Sequence, residues 1–248
     1  MRSRHIQRTS HAHPPRSLVH IAIEARAGDA LCALAAAQAG AGAGDAAAVC
    51  SGLDAVTDAL RGMQAIMGRM TERCDPYIYY HRVRWPMAGW RANEALPQGL
   101  FYEGVGDTAP RQLYGETGAQ SAIVPAFDAA LGIAHGEGDA NAAWLRAYLA
   151  DMRQHMPRQQ RAFLAAREAA PSLRGAARAA GPGALADAYD AAVAELAAFR
   201  SQHRGFAAGY IAAHARRAGE KGTGGSDFMP ALTGYQRHTA GAALRSAP

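Results

Sequence analysis

One histidine lies on a stripe of apolar residues whose spacing is typical of a long helix. Steps of three and four residues alternate through Tyr189, Ala192, Leu196, Phe199, His203, Phe206 and Tyr210. This periodicity predicts that all of them share one buried helix face, with Arg200 one turn before His203. A buried imidazole needs partners for two ring nitrogens. A metal ion on one nitrogen and a hydrogen bond on the other would supply them, and a neighbouring carbonyl is the ordinary alternative.

The composition of the chain is typical of a helical protein, so this histidine is expected to lie on a helix. Alanine dominates the 248 residues and β-branched residues are sparse, which predicts an all-α fold. The length allows one large domain or two small ones. The formal charge of +5 is dispersed, and no basic run is interleaved with aromatic residues. The sequence therefore does not predict a nucleic-acid-binding protein.

The cysteines and the first residues bear on the cellular compartment. Cys32, Cys50 and Cys74 are widely spaced and form no CxxC pair, which predicts reduced thiols in a cytoplasmic protein. No apolar run approaches the roughly 20 residues that cross a membrane. The basic start lacks the apolar core of a secretory signal. We predict a disordered basic tail over residues 1–17 and one helical domain over residues 18–248.

The hydrophobic pattern predicts where the helices lie. Helices are expected over residues 18–38, 122–132, 140–156 and 158–169, with a glycine- and alanine-rich break over 39–44. Asp45 is the predicted N-cap of a helix that reaches Met70, and the His203 helix fades after Ala213. Residues 74–106 are dense in aromatics, proline and arginine, which favours a loop that forms a pocket wall. Residues 215–228 form a glycine-rich loop.

Several segments, taken in order, resemble the indoleamine 2,3-dioxygenase family of haem proteins. They are LVHIAIEARAG, CDPYIYYHRVRWPMAGW, LPQGLFYEGV, TGAQSAIVPAFDAALGI, YLADMRQHMPRQQRAFL, LADAYDAAVAELAAFRSQH and KGTGGSDFMP. The resemblance extends from about residue 18 to about residue 244, and several co-linear motifs are more specific than any single one. It implies the helical bundle of the family's large domain, with haem b between the helices.

The resemblance implies a role for each residue on the proximal side of the haem. His203 matches the iron ligand, and a neutral imidazole suits haem iron. Arg200 matches the arginine of the family's FRSxH motif, which is expected to face a haem propionate, because a guanidinium can bond a carboxylate at two points. Asp128 matches an acidic residue that would orient this side together with Trp90. A surface arginine is the alternative for Arg200.

On the distal side the resemblance implies substrate contacts. Arg84 matches the arginine that grips the carboxylate of an amino-acid substrate, and Tyr79 an aromatic that packs on the indole. Thr117 and Gly118 match the small-residue loop that lies over the haem and bonds a propionate. Thr223 matches a threonine on a flexible loop that closes over substrate. Ordinary loop or core positions are the alternatives.

His20 falls where some relatives carry a serine, while related tryptophan-oxidising enzymes use a distal histidine. Its neutral imidazole would accept the indole N–H or steady the bound O₂, and a solvent-facing histidine is the alternative. The family also has a smaller helical domain before the LVHIAIEA helix, where this sequence has a short polar, proline-bearing stretch. Glu116 replaces a glycine in the loop over the haem.

The resemblance implies a haem-dependent dioxygenase of tryptophan catabolism. It would cleave the indole ring of L-tryptophan or a related indoleamine with O₂ and give N-formylkynurenine, within the kynurenine pathway. Its partners would be the small-molecule substrate and O₂, without nucleic acid or membrane, and the sequence predicts no oligomeric state. The alternatives are a haem- or oxygen-binding protein, another indole-oxidising enzyme of the superfamily, an inactive truncated relative, and a helical interaction module without haem.

Overall fold

Helices dominate the structure of the chain. The computed structural model describes residues 13–91, 93–104, 106, 109–135, 142–215, 222 and 228–245. Within these ranges there is no β-sheet, only an isolated antiparallel bridge between Leu100 and Arg111. The predicted all-α fold is confirmed. Among the helices described, none combines the length and the apolar character that crossing a bilayer requires.

The helices follow one another with short connections. Their bounds are α1 (His13–Ala43), α2 (Ala46–Gly68), α3 (Pro76–Ile78), α4 (Ile123–Leu131), α5 (Ala142–Gln154), α6 (Arg158–Ala169), α7 (Leu173–Ala180), α8 (Ala184–Tyr210) and α9 (Phe228–Ala240). Further helical turns cover Arg69–Glu72, Tyr79–Val83, Trp85–Met87, Gly118–Gln120 and Ala212–His214. The predicted helices at α4, α5 and α6 are confirmed, with ends that differ by no more than two residues.

Two long helices, α1 and α2, form an antiparallel hairpin with small residues at its seam. Asp45 caps α2 as predicted, because its carboxylate accepts a hydrogen bond from the Ala48 amide at 3.0 Å. A Cβ added at Gly52 would lie 2.6 Å from the Cβ of Ala37. The absence of a side chain at Gly52 therefore lets the two backbones approach closely.

The bounds of α1 correct two predictions. The helix begins at His13, inside the segment predicted as a disordered tail over 1–17, and residues 1–12 lie outside the described part of the chain. Prolines at the start of a helix are tolerated, because the first N–H groups have no intrahelical partner. The predicted break over 39–44 is also wrong, since α1 continues to Ala43. Gly40 is buried there against Ala48, and this packing outweighs the low helix propensity of glycine.

Helix α8 contacts α2, α7 and α9 and lies at the centre of the core. Its apolar stripe is buried as predicted at Tyr189, Leu196 and Phe199. The Tyr189 hydroxyl donates a hydrogen bond to the Leu131 carbonyl at 2.8 Å and so joins α8 to the end of α4. The prediction that His203 is buried is wrong, because its side chain is exposed to water. The helix ends at Tyr210, before the predicted limit at Ala213.

Other elements were not predicted from the sequence. Helices α7 and α9 carry only short apolar patterns, and each is stabilised by packing on α8. The segment predicted as a loop over residues 74–106 contains α3 and the turns Tyr79–Val83 and Trp85–Met87. Short helical segments lack a long apolar period, so the hydrophobic pattern alone does not predict them.

Candidate functional site

His203, the predicted metal ligand, lies on α8 one turn after Arg200. Its side chain is reached by water, yet the surrounding protein lowers its pKa from 6.5 to about 4, with smaller contributions from the charges of His20 and Arg200. Among the described residues, no hydrogen bond to this ring is found. At neutral pH the imidazole is therefore uncharged, which is the form that binds a metal ion.

One turn before His203, Arg200 is held by hydrogen bonds inside the protein. Its Nη2 donates to both carboxylate oxygens of Asp128, at 2.8 and 2.7 Å. Its Nη1 donates to the Tyr235 carbonyl at 3.3 Å and to the Thr239 hydroxyl. These bonds fasten α8 to α4 and α9 and fix the turn that carries His203. The predicted contact of Arg200 with a haem propionate stays a prediction.

Asp128 is the electrostatic centre of this arrangement. Burial by itself would raise the pKa of its carboxyl, but the positive charge of Arg200 and a hydrogen bond with His135 hold that pKa below its ordinary value. The His135 Nε2 lies 3.0 Å from Asp128 Oδ2. The carboxylate is therefore ionised and paired. Sequence reasoning missed His135, Thr239 and Tyr235, because none of them belongs to an apolar period or to a motif.

A widened helical turn positions Arg84. Asp75 caps α3 by accepting from the Ile78 amide at 2.9 Å, and the helix then loosens over Tyr79–Val83. The Arg84 amide reaches back five residues to the Tyr79 carbonyl at 2.9 Å. Such π-type turns occur frequently at functional sites. The sequence predicted that this segment forms a pocket wall. In the structure, the backbone hydrogen bond between Arg84 and Tyr79 fixes the position of Arg84 at the end of the turn.

The guanidinium of Arg84 is buried among aromatic rings. The residue is 4% exposed, and its Cζ lies 5.1 Å from the Tyr80 ring and 4.9 Å from the Trp85 ring. Stacking on these faces stabilises the cation, and a planar guanidinium is the group that matches the geometry of a carboxylate. Arg84 therefore has the environment expected of an anion-binding arginine.

Tyr79 fastens this segment to the last turns of α8. Its buried ring packs edge-on against Tyr210, with the ring centroids 5.7 Å apart. The Tyr210 hydroxyl donates to the Cys74 carbonyl at 2.7 Å. Because Tyr210 follows His203 by two turns of the same helix, α8 connects the imidazole with the segment that carries Arg84.

The predicted loop over the haem is joined to the same segment. The Glu116 amide donates to the Met87 carbonyl at 3.0 Å. Thr117 then caps the turn Gly118–Gln120, in a reciprocal capping box with Gln120. A Cβ added at Gly118 would meet no atom within 4 Å, so the turn borders open space. Gly118 is therefore exposed at the surface of the loop, and its predicted contact with the haem stays a prediction.

Trp90 is held by hydrogen bonds to nearby loop residues, and its predicted role beside the haem stays a prediction. Its indole N–H donates to the Tyr102 hydroxyl at 3.0 Å, and its amide donates to the Leu113 carbonyl at 2.9 Å. Asp128 is bonded to Arg200 and His135 instead, so the structure does not bring Trp90 and Asp128 together as a hydrogen-bonded pair. Thr223 lies outside the described residues. His20 is exposed on α1 and interacts electrostatically with His203.

A separate shallow recess lies on one face of α9. Its lining residues are Met229, Pro230, Thr233, Gly234 and Arg237. Every one of them belongs to a single helix, so this recess has one wall only, and it contains no residue of the predicted site. The functional candidates are found around α8 and the Arg84 segment.

Comparison with known families agrees with this arrangement. The family model described as "IDO: Indoleamine 2,3-dioxygenase" matches residues 15–242, which is nearly the whole chain. The chain belongs to the indoleamine 2,3-dioxygenase family. The match includes α1, the Arg84 segment, the Thr117 loop and α8, so the suggested resemblance is confirmed at the level of the family.

Individual relatives cover the chain well but are themselves longer. Indoleamine 2,3-dioxygenase 2 of Mus musculus is 36% identical over 191 residues, 72% of this chain and 45% of the relative. Indoleamine 2,3-dioxygenase 1 of Mus musculus is 30% identical over 240 residues, 92% of this chain and 58% of the relative. The 6-hydroxytryptophan 2,3-dioxygenase fscD of Fusarium equiseti is 34% identical over 151 residues, 59% of this chain and 35% of the relative. The chain spans about half the length of the two mouse relatives.

The residues around His203 fit the haem that the family implies. No group of three or more His, Cys, Asp or Glu side chains is placed to hold a metal within the part of the chain that the structure describes. A porphyrin supplies four nitrogens of its own, so iron in a haem needs only one strong protein ligand. A neutral imidazole beside open space, as at His203, meets that requirement.

Proposed function

We propose that the chain is a haem-dependent dioxygenase, which opens the indole ring of L-tryptophan or a related indoleamine with O₂ and gives an N-formylkynurenine-type product of the kynurenine pathway. The observation that carries the proposal is the neutral, water-exposed imidazole of His203, one turn after the buried pair of Arg200 and Asp128, in a chain of this family. Haem b, when bound, supplies the binding and activation of O₂. The protein supplies ligation, orientation and exclusion of water.

Each part of the site has a task in this proposal. His203 ligates the iron, and Arg200 with Asp128 holds the helix turn on which His203 stands. Thr117 and Gly118 border the cofactor, where the open space beside Gly118 leaves room for it. Tyr79 adds an aromatic ring to the segment that positions Arg84. Thr223 closes over the substrate, as the family resemblance implies.

Arg84 supports a substrate with a carboxylate. A buried guanidinium between aromatic faces binds an anion with little competition from water, which favours an amino acid over an amine without a carboxyl group. The relative from Fusarium equiseti is named for a hydroxylated tryptophan, so substituted indoles belong to the range of the family. We therefore propose L-tryptophan or a ring-substituted tryptophan ahead of tryptamine.

A second candidate is a haem- or oxygen-binding protein without dioxygenase activity. Leu18 and Ile21, on either side of His20, are 61% and 62% exposed, so the described structure leaves this side of the site open to water. Water in the substrate pocket weakens polar recognition. This observation favours binding of haem without turnover.

Haem spectra of the protein and of its variants test the two candidates. The protein is loaded with haemin, and we expect a Soret band that His203→Ala removes. Addition of L-tryptophan, ascorbate and methylene blue should then produce the absorbance of N-formylkynurenine. A haem spectrum without product supports the second candidate. Haem binding that does not depend on His203 contradicts both.

A further inference from the structure

The pairing of α1 with α2 determines the level of His20, that is, its position along the length of the helix bundle. A Cβ at Gly40 would lie 2.9 Å from Ala48, and one at Gly62 would lie 2.6 Å from the Nε of Arg26. From the first pair to the second, the position on α1 moves 14 residues toward its start and the position on α2 moves 14 residues toward its end. Continued past Arg26, this register brings His20 opposite Gly68. In agreement, α1 also contacts the turn Arg69–Glu72 that follows α2.

The same end of α2 touches α8 beside His203. A Cβ at Gly68 would lie 3.5 Å from the Nε2 of Gln202, and this nitrogen donates to the Gln64 carbonyl at 3.1 Å. Gln202 directly precedes His203. His20 and His203 therefore stand at one level of the bundle, on the two helices that flank the end of α2. Both side chains are exposed, so both reach water-filled space there.

The first turns of α1 also carry the exposed Leu18 and Ile21, which leaves this part of the helix with little apolar packing to restrain it.

We propose that His20 is a second axial ligand of the haem that His203 holds. The inference rests on the proposed haem function. Imidazole is a common haem ligand, and two histidines at one level, on the two helices that pack on the end of α2, can serve one iron. Ligation by His20 would occupy the coordination position that O₂ needs. Access of O₂ would then depend on withdrawal of His20, which the weakly packed start of α1 permits.

The spin state of the iron tests this ligation without recourse to turnover. Ferric haem with two imidazoles is low-spin, whereas one imidazole with or without water gives mainly high-spin iron. We expect the haemin-loaded protein, without substrate, to show low-spin ferric absorption and electron paramagnetic resonance spectra. His20→Ala should shift both to high-spin while the Soret band persists, and added imidazole should restore the low-spin form. His155→Ala, at a histidine directly after α5 and outside the predicted site, is the control and should leave the spectra unchanged.

Carbon monoxide gives a second readout. Binding to the ferrous protein should be limited by departure of His20, so its rate levels off at high carbon monoxide concentration, and in His20→Ala the rate should rise in proportion to that concentration. A high-spin wild-type protein, or a low-spin His20→Ala variant, overturns the inference but leaves the proposed function standing. If His20→Ala loses haem, His20→Met decides: a low-spin spectrum with a moved Soret band supports ligation, and a high-spin or unaltered spectrum overturns it.

Discussion

Two buried arginines of this protein have opposite surroundings. Arg200 is 7% exposed and is bonded to the carboxylate of Asp128. Arg84 is 4% exposed, and its guanidinium stacks on the rings of Tyr80 and Trp85. A carboxylate stabilises a guanidinium by charge and hydrogen bonds, whereas an aromatic face stabilises it through the π electrons of the ring. The two buried charges are therefore stabilised in different ways, by an ion pair in one region and by ring stacking in the other.

The two arginines belong to two regions around α8, and these regions have different roles. The Asp128–Arg200 pair connects α4, α8 and α9, one turn from His203, and fixes the position of a metal ligand. The Arg84 segment is fastened to the same helix two turns after His203, through Tyr79 and Tyr210. Substitutions in the first region should lower stability, and substitutions in the second should lower substrate affinity.

The largest effect is expected for Asp128→Asn. This change leaves the charge of Arg200 buried without its counter-ion, which typically costs about 3–5 kcal/mol of unfolding free energy. Urea denaturation followed by circular dichroism measures it. The double variant Asp128→Leu/Arg200→Met is the control and should recover most of the loss, because it removes both charges. A loss below about 1 kcal/mol in the single variant would mean that the pair contributes as little as an exposed one.

The pH dependence of stability should report the same pair. The folded-state pKa of Asp128 lies below that of the unfolded chain, so between the two values the unfolded chain binds more protons. The contribution is therefore fully present above the ordinary value of 3.8 and is lost as the pH falls through the lower, folded value. The stability gap between wild type and Asp128→Asn should stay constant from neutral pH to about pH 4 and narrow below it. A gap that closes near pH 6 would contradict this assignment.

Arg84→Ala should weaken substrate binding while the haem spectrum stays intact. Loss of a charge-assisted hydrogen bond costs about 1.5–3 kcal/mol, which corresponds to a roughly ten- to hundredfold rise in the Kd for L-tryptophan. Spectral titration of the haem-loaded protein measures that Kd, and tryptamine should bind equally to both forms. The matched control is Arg82→Ala, since Arg82 lies in the same segment but is exposed. Loss of the haem in Arg84→Ala would place Arg84 in cofactor binding instead.

Thr239→Val removes one bond to Arg200 without a change in size. The Thr239 hydroxyl accepts from Arg200 and donates to the Tyr235 carbonyl at 2.8 Å. Since the ion pair with Asp128 remains, we expect a loss of about 1 kcal/mol in unfolding free energy. Thr233→Val is the control, because Thr233 is an exposed residue of the same helix. Equal effects at the two positions would show that helix propensity, not the bond to Arg200, is being measured.

The smallest effect is expected for Trp85→Leu. Trp85 is 53% exposed, so its stacking on Arg84 contributes about 0.5–1 kcal/mol. The Kd for L-tryptophan should rise by a factor of about two to five, with little change in stability. Trp144→Leu, at another partly exposed tryptophan, serves as the comparison. If both variants bind L-tryptophan as the wild type does, stacking on Trp85 does not orient Arg84.

Sequence reasoning was most successful where a local rule determines the structure. The N-cap at Asp45 and the buried face of α2 follow from residues within a few turns of one another. Membership of the family also followed from ordered motifs. The same reasoning failed for the exposure of His203, because burial depends on which elements pack against a helix face. It failed for the continuation of α1 to Ala43, because Gly40 is stabilised in the helix by contact with α2.

The sequence by itself determined the helical class, the long period of α8 that carries His203, and the family. These properties follow from local spacing and motif order, and they do not depend on contacts between residues that are distant in the sequence. Only the tertiary structure decided that His135 and Thr239 complete the bonds around Asp128 and Arg200, and that His20 stands level with His203. Such contacts join residues far apart in the chain, and their geometry depends on how the helices cross. The spacing of apolar residues does not predict how helices cross.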